Sequence, residues 1–349
     1  MRITELGAGG RGEHERVVLC EDEAAGYRAV VAVHSTALGP ALGGTRLWNY
    51  STVEEAVTDA LRLSRGMTYK NALAGLPFGG GKSVIIADAR AIDREEIFRA
   101  HGRFVETFGG TYLTAEDVGT TPADMELVAR ETRHVAGLSD RSGDPSPHTA
   151  HGVFRAMQAA AAFRWGTDSL AGRTVAVQGC GSVGRNLARE LRAAGARLVV
   201  ADVDEERARR AADELDARLV AAREITDAGA DVFAPCALGG VVNDETVPRL
   251  RAEIVCGAAN NQLLEARHGD ELHARGVLYA PDYAANAGGV INGCRELLGW
   301  TPEQSAAKVH SLYDTLLDIF RLARDRNVPT HAAADRLAEA RLDAAKARG

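Results

Sequence analysis

Val175-Ala-Val-Gln-Gly179-Cys-Gly181-Ser-Val-Gly184 decides the fold of the second half of this chain. A strand-forming run enters a G-x-G-x-x-G turn, and the apolar spacing beyond it predicts a helix over 183–194. Three glycines alone carry little, but a strand before them and a helix after them assign each a task. Gly179 permits the tight turn, Gly181 lets a pyrophosphate approach the backbone, and Gly184 lets the helix pack on the strand. The helix opens through Ser182 and Val183, so its partially positive N-terminus faces the phosphates. The next strand, expected over 197–201, ends in Asp202-Val-Asp204. Asp202 lies about 20 residues beyond Gly179, where an acid takes the adenosine ribose hydroxyls and repels a 2′-phosphate. These residues point to NAD, with Arg207 and Arg209 the argument left for NADP. A structural turn that binds nothing is the plainer alternative, and the acid weighs against it.

The alternation continues outward. A helix over 205–215 is followed by short strands expected at 231–234, 253–256 and 277–280. Strand and helix in turn mean a parallel sheet covered on both faces. Upstream, residues 137–147 are rich in Gly, Ser, Pro and Asp and read as a hinge before a helix over 149–165. A Rossmann-type, doubly wound domain is therefore expected over 137–328. An N-terminal α/β domain is expected over 1–136, with strands at 27–36, 42–48, 83–87 and 111–114 and helices at 53–65, 93–108 and 122–132. Capping boxes at Ser51-Thr-Val-Glu-Glu55 and Thr301-Pro-Glu-Gln304 mark helix starts, the second opening a helix to about Arg326. A last helix within 329–349 lies beyond the α/β region and is expected to pack back on the first domain.

A length of 349 residues accommodates two domains. The net charge of −7 argues against nucleic acid and anionic membrane surfaces. Five separated cysteines, none in a C-x-x-C pair, indicate neither a metal site nor a disulfide framework. No apolar run reaches spanning length, and residues 1–15 do not resemble a secretion signal, so a cytoplasmic protein is expected.

Of 41 basic residues only Lys70, Lys82, Lys308 and Lys346 are lysine. Arginine stays charged, whereas a lysine beside another cation or in an apolar pocket can lose its proton near neutrality. Lys70 and Lys82 share an apolar, glycine-rich stretch, which suggests tunable amine chemistry. Together with Gly43, Gly44 and Asp117 they are expected at turns or strand ends that project into a cleft. Lys70 can hold a substrate carboxylate, a lysine of lowered pKa can polarise a carbonyl or water, and Asp117 can act as general base. A Schiff base between lysine and substrate also stays open on the residues alone. Gly79-Gly-Gly-Lys-Ser83 imitates a phosphate-binding P-loop, but Leu76 stands where that pattern needs glycine, and a strand follows the lysine where a helix belongs. ATP turnover would revive that rival.

Leu38-Gly-Pro-Ala-Leu-Gly-Gly-Thr-Arg46, Met67-Thr-Tyr-Lys-Asn71, Gly79-Gly-Gly-Lys82 and Thr114-Ala-Glu-Asp-Val-Gly-Thr120 occur in order. Phe233-Ala-Pro-Cys-Ala-Leu-Gly-Gly240, Gly257-Ala-Ala-Asn-Asn-Gln262, Tyr279-Ala-Pro-Asp-Tyr283 and Asn286-Ala-Gly-Gly289 follow. Together they resemble the glutamate/leucine/phenylalanine/valine dehydrogenase family, most of all its leucine dehydrogenases, over nearly the whole chain. The resemblance implies reversible oxidative deamination of an L-amino acid to a 2-oxo acid, ammonia and NADH. By resemblance Lys70 holds the substrate carboxylate, Lys82 activates water and stabilises the carbinolamine, and Asp117 shuttles protons. Asn260 contacts substrate near the nicotinamide, and Thr149 lies by its carboxamide. The two domains, separated by a cleft, close over the substrate. The implied pocket comprises Leu42, Gly43, Ala115, Val290 and Gly293, next to Gly44. Leu42 stands where glutamate enzymes carry a lysine, so an apolar, branched-chain substrate (Leu, Val or Ile) is expected. Gly293 stands where leucine enzymes tend to carry valine, which leaves room for an aromatic substrate, Phe or Trp. An NAD-binding protein without turnover is the remote alternative. A homo-oligomer is implied. Subunit number, preferred amino acid, physiological direction and the roles of Cys180 and Cys294 stay open.

Overall fold

The computed structural model describes residues 1–7, 14–138 and 143–348. Residues 139–142 of the expected hinge lie outside the described residues. The chain forms two compact units: Met1–Gly143 with Gly293–Gly299 and Ala338–Gly349, and Asp144–Asn292 with Trp300–Leu337. The segment Gly293–Gly299, expected in the second domain, thus belongs to the first unit, and the final helix starts in the second unit and ends in the first.

The first unit holds β1 (Arg2–Glu5), β2 (Arg16–Asp22), β3 (Tyr27–Ser35), β4 (Ala41–Trp48), β5 (Gly79–Ile86) and β6 (Tyr112–Glu116), in sheet order β1-β2-β3-β5-β4-β6. β4 runs parallel to β5 and β6, and the other pairs are antiparallel. Period-two alternation splits the core. On one face Val30, Ala32 and Val84 meet Ala56, Val57 and Ala60 of α1 (Val53–Ala74). On the other, Val31, Leu47 and Ile85 meet Phe98 and Phe104 of α2 (Arg94–Glu106). α3 (Pro122–Ala129) follows a Thr121 capping box.

The first capping box forms as expected: Thr52 Oγ1 accepts from the Glu55 N–H at 3.1 Å, and the Glu55 carboxylate accepts from the Ser51 N–H at 2.9 Å. The helix then runs well past residue 65, to Ala74. Thr68, Asn71 and Ala72 bury against the unit, and the stop is Gly75 in the left-handed region at φ 62°. Lys70 is therefore helical, and Lys82 and Gly43-Gly44 lie within strands rather than at their ends.

Behind β4 and β5 lies a sealed polar cluster. His101 Nδ1 is 2.7 Å from the Tyr27 hydroxyl, and its Nε2 is 2.9 Å from Thr45 Oγ1, which also bonds Ser83 and Thr114. Burial holds the His101 pKa down at about 3, and burial with the nearby His14 holds that of His34 at about 4. The unfolded chain binds these protons below the ordinary histidine pKa of ~6.5, and the folded unit does not. Their contribution to stability is complete above that pH and is lost as pH falls toward 4. The unfolding free energy from urea titration should therefore fall between pH 7 and pH 5, by about 1.4 kcal/mol per pH unit per group at most. His101→Leu should lower stability at pH 7 by about 1–3 kcal/mol through the orphaned hydroxyls, and flatten that pH slope. An unchanged slope would assign acid sensitivity to other groups.

The second unit is a wholly parallel sheet of β7 (Thr174–Gln178), β8 (Arg197–Ala201), β9 (Arg218–Leu219), β10 (Val232–Pro235), β11 (Ile254–Val255) and β12 (Leu278–Tyr279), in order β12-β11-β10-β7-β8-β9. The strand order reverses between β10 and β7, the switch point at which such sheets bind ligands. Its helices include α4 (Ser146–Trp165), α5 (Ser182–Ala193), α6 (Glu205–Leu215), α7 (Ala266–Ala274) and α8 (Asp282–Ala285). α9 (Gly288–Leu298) begins in this unit and ends in the first. The long helix expected from residue 301 is two, α10 (Pro302–His310) and α11 (Leu312–Arg326). They part at Ser311, whose hydroxyl turns back to the Lys308 carbonyl at 2.7 Å. α12 (Thr330–Lys346) closes the chain.

Candidate active site

Alternation along β5 puts Lys82 on the face that α1 covers. The fit is flush: a Cβ on Gly80 would fall 2.1 Å from the Thr68 nitrogen, so only glycine permits this approach. Lys70, half-buried, lies two residues further along α1. Asp117 follows β6 in a turn whose own groups hold it: its N–H donates to Thr120 Oγ1 at 2.9 Å, and that hydroxyl donates to the Thr45 carbonyl at 3.1 Å. Lys82 Nζ lies 2.7 Å from Asp117 Oδ2, with the lysine only 4% exposed.

Arg46 completes this cluster, its Nε donating to the same Asp117 oxygen at 3.1 Å. Sequence reasoning missed it. Its one signal was position, two residues past Gly44 on the same strand face, and in a chain whose cations are nearly all arginine its type carried none. Burial drives the Lys82 amine below its ordinary value; Asp117 opposes this and Arg46 adds to it. Burial pushes the Asp117 carboxyl upward, but Lys82 and Arg46 outweigh it and hold the group below the usual carboxylate range. The result is an ionised acid in contact with an amine poised to give up a proton.

The remaining first-unit residues lie close by. Leu42 is buried, the Gly43 carbonyl accepts from the Tyr112 hydroxyl at 2.9 Å, and Gly44 pairs with Ala115 across β4 and β6. A Cβ on Gly44 would sit 2.6 Å from the Glu116 carbonyl oxygen and 2.8 Å from Asp117 Cβ. The backbone beneath the acid must therefore be bare.

In the second unit the fingerprint forms as read. Gly179 takes φ 97°, a Cβ on Gly184 would fall 1.9 Å from the Gly179 oxygen, and Gly181 caps α5 ahead of Ser182 and Val183. Nothing lies within 4 Å of a Cβ built on Gly181, so the helix N-terminus is open where a pyrophosphate approaches. These residues fit a dinucleotide. Asp202 does more than the sequence indicated: its carboxylate accepts from the Cys180 N–H at 2.8 Å and the Asp204 N–H at 2.9 Å, tying the turn to β8. Arg207 lies 3.6 Å from Asp202 and 3.3 Å from Asp204, so two acids offset the cation that argued for NADP.

Thr149 Oγ1 donates to the Pro145 carbonyl at 3.0 Å, and a Cβ on Gly289 would fall 2.5 Å from that hydroxyl. Asn286, three residues earlier, donates to Asn260 Oδ1 at 2.8 Å. The segment leading into α9 thus brings Thr149 and Asn260 into one neighbourhood. Val290 and Gly293 follow on α9, both half-buried, and a Cβ on Gly293 would meet nothing within 4 Å. Cys180 and Cys294 are buried thiols with pKa values raised by burial, that of Cys180 to about 11, which suits packing rather than reactivity. Among the described residues one group, Asp244, His268 and Glu271, has metal-ligand spacing, and Arg267 already pairs with Asp244 at 2.6 Å and Glu271 at 3.1 Å.

A parallel sheet with a glycine-rich turn at its switch point and a buried lysine–aspartate pair in one chain suit an oxidoreductase that acts on amines, and comparison with known proteins gives the family. Residues 14–134 match the model of the Glu/Leu/Phe/Val dehydrogenase dimerisation domain, and residues 200–349 that of the Glutamate/Leucine/Phenylalanine/Valine dehydrogenases. The leucine dehydrogenase of Geobacillus stearothermophilus is 52% identical over 334 residues, covering 95% of this chain and 91% of that protein. The valine dehydrogenase of Streptomyces albus is 52% identical over 346 residues, 97% and 94% of the two. The crystal structure of L-tryptophan dehydrogenase from Nostoc punctiforme superposes with a TM-score of 0.87 at 45% identity, covering 96% of this chain and 97% of that one. The chain belongs to the glutamate/leucine/phenylalanine/valine dehydrogenase family and is an amino-acid dehydrogenase.

Proposed function

We propose that this enzyme catalyses the reversible, NAD-dependent oxidative deamination of a branched-chain L-amino acid, Leu, Val or Ile, to the 2-oxo acid, ammonia and NADH. The observation that carries the chemistry is the buried 2.7 Å contact between Lys82 and Asp117. Identity of about half to leucine and valine dehydrogenases supports the substrate class. Lys70 holds the substrate carboxylate. Bound NAD supplies the hydride acceptor for Cα. Lys82 activates the water that adds to the resulting imine and stabilises the carbinolamine, and Asp117 accepts a proton from that water and returns one to the departing ammonia. The lowered pKa of Lys82 and the ionised state of Asp117 suit these roles. Gly179, Gly181, Ser182, Val183 and Gly184 hold the pyrophosphate, Asp202 the ribose, and Thr149 and Asn260 the nicotinamide end.

Buried Leu42 gives a side-chain carboxylate no cation, and its neighbours Gly43, Gly44 and Ala115 add no charge, which supports an apolar substrate side chain. The open space around Gly293 and the likeness to a tryptophan dehydrogenase favour a second reading, an aromatic substrate. NADH formation with L-leucine, L-valine, L-isoleucine, L-phenylalanine, L-tryptophan and L-glutamate, compared as kcat/KM, tests both. Highest efficiency on an aliphatic acid supports the first reading and on an aromatic acid the second. Preference for glutamate overturns both, and no turnover leaves an NAD-binding protein. Among the described residues no helix is long and apolar enough to cross a membrane. We place the enzyme in the cytoplasm as a homo-oligomer.

Asp202→Ala should weaken NAD binding about tenfold, through loss of a charged hydrogen-bond acceptor, and narrow the preference for NAD over NADP. Fluorescence titration with both reduced cofactors measures this, and an unaltered ratio would move the ribose contact elsewhere.

A further inference from the structure

Asp117 receives two cations on one oxygen. Lys82 Nζ and Arg46 Nε both reach Oδ2, at 2.7 and 3.1 Å. A carboxylate oxygen has two lone pairs, and these two donors occupy both. The other end of Arg46 is also held. Its Nη1 donates to Asp59 Oδ2 at 2.9 Å, and the Tyr50 hydroxyl donates to that same oxygen at 2.6 Å. Arg62 donates to Asp59 Oδ1 at 2.9 Å, so α1 and the link after β4 together brace the guanidinium. The side chains of Arg46 and Asp59 are 20% and 15% exposed, sheltered enough for the geometry to persist.

We propose that Arg46, braced by Asp59 and Tyr50, is a positioning residue that pins Asp117 Oδ2 and leaves Oδ1 as the oxygen that takes up and returns the proton. This rests on the reading of Asp117 as the proton shuttle. The need is greatest when Lys82 turns to the water, because Arg46 then holds the carboxylate alone. Arg46 also acts by charge, since it favours ionised Asp117 and the neutral Lys82 amine. Among the described residues, Asp59 and Arg62 on α1, Tyr50 ahead of it, and Tyr112 on β6, whose hydroxyl senses the Asp117 charge, also act on this cluster, and Lys70 lies on α1 as well. Glu116, beside Asp117, is exposed.

The test compares wild type, Arg46→Gln, Arg46→Lys and Asp59→Asn by kcat, KM for leucine, the pH profile of kcat, and the thermal midpoint. Arg46→Gln should lower kcat about tenfold or more with KM changed by less than about threefold. With the cation gone, Asp117 and Lys82 both titrate at higher pH, so both limbs of the profile move upward. Arg46→Lys, which returns the charge without the fork, should restore the limbs but not the full kcat. Asp59→Asn should lower kcat with a smaller shift of the limbs. Unchanged kcat and profile in Arg46→Gln overturn the proposal, as does lost kcat with unmoved limbs and a lowered thermal midpoint, the mark of a purely structural role. A second readout needs no turnover: acetylation of Lys82 by acetic anhydride at graded pH, read by peptide mass spectrometry. Its midpoint rises in Arg46→Gln if Arg46 acts on the cluster and stays if it does not. Inert wild type, or a fully active Asp117→Asn, would instead refute the underlying reading of Asp117.

Discussion

Replacing Lys82 with alanine is expected to cut kcat for leucine deamination by about 10³-fold while leaving NADH affinity within about twofold. The variant loses the one amine that is both buried and in contact with Asp117. Asp117 keeps Arg46 as a counter-ion, so the fold is spared an unpaired buried carboxylate. Lys82→Arg should fail almost as badly, since a guanidinium cannot release a proton near neutrality. Steady-state NADH formation and fluorescence titration with NADH separate the two effects. Turnover within about tenfold of wild type would remove Lys82 from the chemistry.

Gly44→Ala, a change of one methyl group, should lower kcat about 100-fold. The added Cβ has nowhere to go, with the Glu116 carbonyl at 2.6 Å and Asp117 Cβ at 2.8 Å. The turn carrying Asp117 must move away, which lengthens its contact with Lys82. Overpacking should also lower stability by about 1–3 kcal/mol. Kinetics and a thermal melt on the same preparation check this, and wild-type kcat would mean that the turn yields without disturbing the acid.

What could be read from the sequence was local or compositionally odd. Strand, glycine turn, helix and acid of the dinucleotide fold lie within about 30 residues, so each constrains the next. Lys70 and Lys82 stood out because arginine fills nearly every other cationic position. The misses depended on contacts between distant residues. The last turns of α1 hold because Thr68 meets Gly80, a pairing no helical period announces. β1 has only exposed residues and exists by pairing with β2. The bond from Asp202 to the Cys180 N–H needs β7 and β8 side by side before it can be seen.

α12 has a consequence for synthesis on the ribosome. Arg341 donates to the Ala72 and Leu73 carbonyls, closing the C-terminal end of α1, which has no basic residue in its own last turn, and Tyr69 donates to Glu339 at 2.8 Å. Those partners are translated some 270 residues after the helix they complete. The nascent first unit therefore lacks these added contacts at the end of its lysine-bearing helix, which Gly75 alone caps, while the strands of the second unit emerge. Full bracing of the helix that carries Lys70 thus comes only after the strands of the second unit have been translated.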